Sequence, residues 1–148
     1  SSCHNNDANK KRIVSSGGID ALLSSMHQHR QMPELQEQAC WVMLYVAATS
    51  VVTSESLVQR GVVESLVASM RACDRHEGVQ AQGCWALANV ATNSSTNSKN
   101  IYENRGIDAI ISAMRLHPAN LSVQAKACRA LGRIARHCQT SCGHIRES

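Results

Sequence analysis

The residues in this chain whose types and spacing could do chemistry form two helical stripes. Lys126, Arg129, Arg133 and Arg136 fall at i, i+3, i+7 and i+10, so a helix would carry all four cations on one face. Gln82, Trp85 and Asn89 within the stretch Val79 to Ala91, with Thr92 just after it, keep the same spacing. The chemistry available to them is recognition. Guanidinium and ammonium groups pair with oxyanions, amides bond peptide backbone, and an indole face takes apolar stems and cations. A Trp on a polar stripe is unusual, because burying it would be favourable. Val79, Gly83, Ala86, Leu87, Val90 and Ala91 occupy the other face, which is expected to pack.

Neither catalysis nor metal binding is expected. There is no Gly-rich phosphate loop and no nucleophile elbow, so the chain reads as a non-enzyme with no cofactor. Asp20, Glu64 and Asp108 recur, but each opens a helix, where an acid favours the dipole. His137, Cys138, Cys142 and His144 could be drawn as a zinc site. Their Cys-x-x-x-Cys-x-His spacing is loose and straddles a helix end, so Cys138 reads as an ordinary thiol. His27, His29, His76 and His117 read as solvated residues at helix ends or links.

The elements that would position the stripes repeat. Cys84-Trp85 is matched 44 residues upstream by Cys40-Trp41 and 44 downstream by Cys128-Arg129. Leu22, Leu66 and Ile110 keep the step, as do Met26, Met70 and Met114. Ile13, Leu57, Ile101 and Ile145 keep it too. A period this strict marks a repeat protein. The division expected is a terminal segment at 1–8, units at 9–52, 53–96 and 97–140, and the start of another at 141–148.

Composition narrows the class. Hydrophobic residues make up 43% of the 148, so this is no disordered tail, while only 3% are aromatic and none is Phe. The core must therefore be built of Leu, Ile, Val, Ala, Met and Cys, which suits closely stacked helices. No apolar run approaches the roughly 18 residues that span a bilayer. Seven cysteines are an odd number, and Cys40, Cys84 and Cys128 recur at one core-side position. They read as small buried hydrophobes in a reducing, cytoplasmic or cytoskeletal setting. The net charge of +4 is mild.

Each unit reads as three helices. Short first helices are expected at 10–15, 54–60 and 98–104, with Asn9, Thr53, Asn97 and Ser141 as N-caps. Gly17-Gly18, Gly61 and Gly106 would then break the chain. Second helices are expected at 19–29, 62–72 and 107–116, burying Leu22, Leu23 and Met26, then Leu66, Val67 and Met70, then Ile110, Ile111 and Met114. Third helices follow at 34–48, 77–92 and 121–137. A single unit is too small to balance its own conformational entropy, so stability must be shared between neighbouring layers. The begun fourth unit implies a piece of a longer array.

The pattern Gly-Ile-Asp-Ala-Ile-Ile, then Val-Gln-Ala-x-x-Cys-x-Ala-Leu, with Trp85-x-x-x-Asn89 on the third helix, resembles the armadillo repeat over residues 9–138. The resemblance implies an all-α fold, an armadillo-type right-handed α-solenoid. It also implies that third helices line a concave groove holding an extended or helical segment of another protein. By position, the groove residues would be Gln38, Trp41 and Tyr45, then Gln82, Trp85 and Asn89, then Lys126, Arg129 and Arg133. In nuclear-import adaptors of similar pattern, the Asn amides bond the partner's backbone and Trp rings hold its lysines. Here Tyr45 replaces one Asn, and Arg129 and Arg133 replace a Trp and an Asn. A cationic peptide would be repelled, and a partner with an amphipathic part followed by acidic residues fits better. The leading expectation is thus a protein–protein interaction scaffold. The alternatives are a structural brick of a cytoskeletal or axonemal assembly, and weak nucleic-acid binding through the basic stripe. No small-molecule substrate or membrane is expected. A plainer reading leaves the stripe as a solvated helix face with both Trp packed on neighbours.

Overall fold

A computed structural model describes the backbone of residues 2–141 and the side chains of residues 7–137. Within that range the chain is all-helical, with no strand. The helices are α1 (Ser2–Ser15), α2 (Gly18–Gln28), α3 (Pro33–Ala47), α4 (Val51–Gln59), α5 (Val62–Ala72), α6 (Glu77–Ala91), α7 (Ser95–Glu103), α8 (Gly106–Leu116) and α9 (Leu121–Ser141). Three of them, α4, α5 and α6, recur 44 residues later at the starts of α7, α8 and α9, and α3 leads α6 by the same step. None of the described helices is long and apolar enough to cross a membrane.

The first helix of each triplet starts earlier than expected. Ser50 and Ser94 are the N-caps, in extended backbone, and their hydroxyls accept from Thr53 N and Asn97 N at 3.1 Å each. Thr53 and Asn97 therefore lie inside the first turn, receiving the cap rather than supplying it. Similarly, α1 extends back to Ser2 through Asn9, because residues 2–16 contain no Gly or Pro to stop a helix. The break into the second helix also shifts in one place. Gly17 and Gly61 take positive φ of 83° and 96°, but the equivalent of Gly61 is Arg105, at φ 62°. Gly106 is instead the first residue of α8. A Cβ there would lie 2.4 Å from Ile101 Cγ2, so closeness, not handedness, selects that glycine. The expected Ser141 cap, the Cys142 and His144 ligands and Ile145 lie outside the described side chains.

The packing is continuous from triplet to triplet. The tightest associations are α3 on α6 and α6 on α9, with α2, α5 and α8 forming a second row and α4 against α7. One core runs from Ile19 through Leu44, Leu66, Leu87 and Ile110 to Ile134. Full burial of side chains this size contributes about 1.5–3 kcal/mol each. The second helices bury unequal stripes. Central α5 buries Val62, Val63, Leu66, Val67 and Met70, whereas Leu22 and Leu23 of α2 and Ile111 and Met114 of α8 are only half-buried. The central helix α6 buries Val79, Gln80, Ala81, Gly83, Cys84, Ala86, Leu87, Ala88, Val90 and Ala91. That leaves Gln82, Trp85 and Asn89 as its partly open side.

One glutamine per triplet, buried at Gln36 and Gln80 and half-buried at Gln124, ties the layers. Gln36, Gln80 and Gln124 each donate Nε2 to two carbonyls at the end of the preceding second helix. The acceptors are Met26 O and His29 O, Met70 O and Cys73 O, and Met114 O and His117 O, all at 2.9–3.1 Å. The methionine carbonyls have no backbone donor of their own, whereas His29 O, Cys73 O and His117 O also accept from Met32 N, His76 N and Asn120 N. Leaving a buried carbonyl unbonded costs about 1–3 kcal/mol. Ser69 Oγ in turn donates to Gln36 Oε1, linking the first layer to the second. Two histidines expected in solvent belong to this framework instead. His76 Nδ1 caps α6 by accepting from Val79 N at 3.2 Å, and buried His117 donates Nε2–H to Asp74 O at 2.7 Å.

Candidate partner-binding face

The open side of α3, α6 and α9 gathers most of the residues singled out from sequence. The α3 ring of Trp41 stacks on Tyr45 at 5.3 Å between centroids, and Trp85 of α6 lies 5.9 Å from Trp41 at a tilt of 59°. Both indoles are half-buried against the core, while Tyr45 is 47% exposed. From α9, Lys126 Nζ sits 4.2 Å above the Trp85 ring, a cation–π contact worth about 0.5–2 kcal/mol. At the other end Lys10 Nζ stands 5.9 Å from the Tyr45 ring. Sequence reasoning missed Lys10, since α1 was expected to begin there and nothing in the repeat marks it. The result is one row across four helices: Lys10, Tyr45, Trp41, Trp85, Lys126.

One turn further along, Asn89 and Arg133 form a second, polar row. Asn89 Nδ2 donates to Leu44 O at 2.7 Å, and Arg133 Nη1 donates to Ala88 O at 3.3 Å. Each reaches the carbonyl 45 residues before itself, so one position clamps successive third helices with either an amide or a guanidinium. Arg133 Nη1 also bonds Thr92 Oγ1 at 2.8 Å and Asn89 Oδ1 at 3.3 Å. Its pKa is lowered, first by burial and then by the charge of Arg129. Thus the Asn89 and Trp85 contacts that the resemblance gives to a partner are made, in part, within this chain.

Gln38 and Arg129 are exposed beside these rows. Gln82 is half-buried, and its Oε1 is enclosed without a hydrogen-bond partner. Cys40 and Cys84 are buried thiols whose pKa values are pushed up to about 12 by burial. Cys128, expected on the same core-side position, is exposed. The reason is its neighbour: α6 is packed between α3 and α9, whereas α9 packs on α6 from one side only among these three. Among the described residues no His, Cys, Asp or Glu cluster could hold a metal ion.

No protein-family model matches the chain, and no curated protein matches it. Among solved structures it is similar to the crystal structure of an engineered protein, at 27% identity and a TM-score of 0.76. The match covers 88% of this chain and 51% of that one, so this chain spans about half the engineered protein's length.

Proposed function

We propose that this chain is a three-unit segment of an armadillo-type right-handed α-solenoid that acts as a protein–protein interaction scaffold. In this reading the face of α3, α6 and α9 is a groove that holds a peptide or helix of another protein. The observation that carries it is the row Tyr45, Trp41 and Trp85, continued by cations. Aromatic rings left partly open beside Arg129 and Arg133 are the composition of binding hot spots. The bound segment would lay apolar side chains on the rings and direct acidic ones to α9. Lys126 on Trp85 makes a cationic ladder peptide a poor match, because that ring face is already taken. Free Cys40, Cys73, Cys84 and Cys128 suit a reducing, cytoplasmic or cytoskeletal setting.

The test is fluorescence anisotropy with a labelled peptide alternating Leu pairs with Glu. Trp85→Ala and the pair Arg129→Glu/Arg133→Glu should each weaken binding at least about tenfold, as loss of a hot spot or charge pair does. Unchanged affinity in both variants sends the site elsewhere.

A second reading, as a structural brick of a larger assembly, rests on the outer face of α9. Ala125, Cys128, Gly132 and Ala135 are exposed there, while Ala81, Cys84, Ala88 and Ala91 at the same positions in α6 are buried. Sedimentation of the isolated chain separates the two, since a brick would self-associate through α9.

A further inference from the structure

Beside the aromatic row, where α3 and α6 end and α4 begins, lies a cleft of about 260 Å³ whose walls include Ala48, Ser50, Asn89, Thr92 and Arg133. Arg133 decides its character. The Nη1 group donates to Thr92 Oγ1, Ala88 O and Asn89 Oδ1, all neutral acceptors. Among the described residues Asp20 pairs with Arg60, Glu37 lies near the His76 ring and Glu77 near the His117 ring, and none of these carboxylates reaches Arg133. Arg129, one turn earlier on the same helix, adds a second positive charge. A half-buried guanidinium held only on neutral groups has lost hydration without gaining a counter-charge, an arrangement that an arriving anion would relieve. The positive end of the α4 dipole, at Ser50 and Val51, adds to the same potential.

We propose that this cleft is a carboxylate pocket, taking one acidic side chain of the segment bound along α3, α6 and α9. The proposal rests on the interaction-scaffold reading and names the chemistry that fixes the register of the bound segment. Arg133 supplies the counter-charge, with the hydroxyl of Thr92 and the Ser50 corner forming the polar wall. Among the described residues that line the cleft Arg133 is the one cation, Arg129 standing outside the lining, which matches a singly charged carboxylate better than a dianionic phosphate.

Amide NMR of the 148-residue chain, titrated with sodium acetate against sodium chloride at constant ionic strength, tests the pocket directly. Saturable shifts are expected at Ser50, at Asn93, which also lines the cleft, and at the Arg133 side chain. Two variants should remove them. Arg133→Gln deletes the charge, and Ala48→Glu places a competing carboxylate on an exposed wall residue without touching the α6–α9 clamp. Each should weaken acetate by about tenfold or more, and Ala48→Glu keeps the test valid should Arg133→Gln unfold. Absence of saturable shifts, or shifts that survive Ala48→Glu, overturns the pocket. Inorganic phosphate binding an order of magnitude tighter than acetate overturns the carboxylate assignment. The Leu/Glu peptide separates the two levels. Peptide binding that depends on Trp85 but not on Ala48→Glu leaves the groove standing and removes the pocket. Acetate binding without any peptide binding supports the pocket and removes the groove.

Discussion

Helices α6 and α9 are matched in register, yet they end in different surroundings. Ala81, Cys84, Ala88 and Ala91 are sealed in α6, and Ala125, Cys128, Gly132 and Ala135 stand open in α9. On the candidate binding side the contrast runs the other way in chemistry. Asn89 and Arg133 make the same reach to the preceding third helix, but the amide ends neutral and the guanidinium brings a charge to the surface. The lesson is that position in the stack fixes how much of a third helix is covered. Residue type at the few open positions fixes what that helix could bind.

Paired substitutions at equivalent sites break or sharpen this contrast. The largest difference is expected at Leu87 and Leu131. Leu87 is fully buried, so Leu87→Ala should cost about 2–5 kcal/mol in chemical denaturation, whereas half-buried Leu131→Ala should cost clearly less. Equal losses would mean that α9 is as enclosed as α6. Next come the glutamines. Gln80→Ala strands the buried Met70 carbonyl, while Cys73 O keeps its bond from His76 N, and should cost roughly 1–3 kcal/mol, with Gln124→Ala smaller because Gln124 is only half-buried.

The thiols sharpen the comparison further. Cys84→Ser should destabilise by about 1–3 kcal/mol and Cys128→Ser by under about 0.5 kcal/mol. Maleimide should label Cys128 in the native chain while Cys40 and Cys84 stay protected until unfolding. The pH sign follows from burial, which raises both buried thiols from 9.0 to about 12. Above pH 9 the unfolded chain releases protons that the folded chain keeps. Stability present below pH 9 is therefore lost as pH rises towards 12. Cys84→Ser should shallow that fall in a pH series of denaturation midpoints, and Cys128→Ser should leave it unchanged. The smallest effect is Gly132→Ala. A Cβ at Gly132 meets nothing within 4 Å, so gained helix propensity should stabilise by about 0.5–1 kcal/mol. A loss there would mean that α9 is covered in solution.

Much of this architecture was legible in the residues themselves. The spacing of Leu66, Val67 and Met70 and the breaks at Gly17 and Gly61 place second helices and the starts of third helices to within a residue or two, while α9 runs four residues past its expected end at 137. First-helix starts were misplaced because Ser50 and Thr53 are both acceptable cap types, and only backbone geometry tells donor turn from acceptor. Cys128 was misjudged because burial in a stacked array belongs to the neighbour as much as to the residue. The clamps from Asn89 and Arg133 span 45 residues and leave no mark in a helical period. Gln36, Gln80 and Gln124 could have been found, since a polar residue recurring at 44 inside an apolar run signals a buried bond. Of the candidate face, the aromatic residues were visible by position. Their contact with Lys10 and Lys126 required the fold.

The central claim is that the aromatic row of α3 and α6, extended by the cations of α9, grips another chain. Selection of a displayed random-peptide library against the 148-residue chain, with counter-selection on Trp41→Ala/Trp85→Ala, tests it most directly. The account predicts enriched sequences that bind the wild-type chain, lose the variant, and pair apolar residues with a downstream Asp or Glu. Enriched sequences that bind the double variant equally well, or that carry Lys and Arg in place of acids, would contradict it.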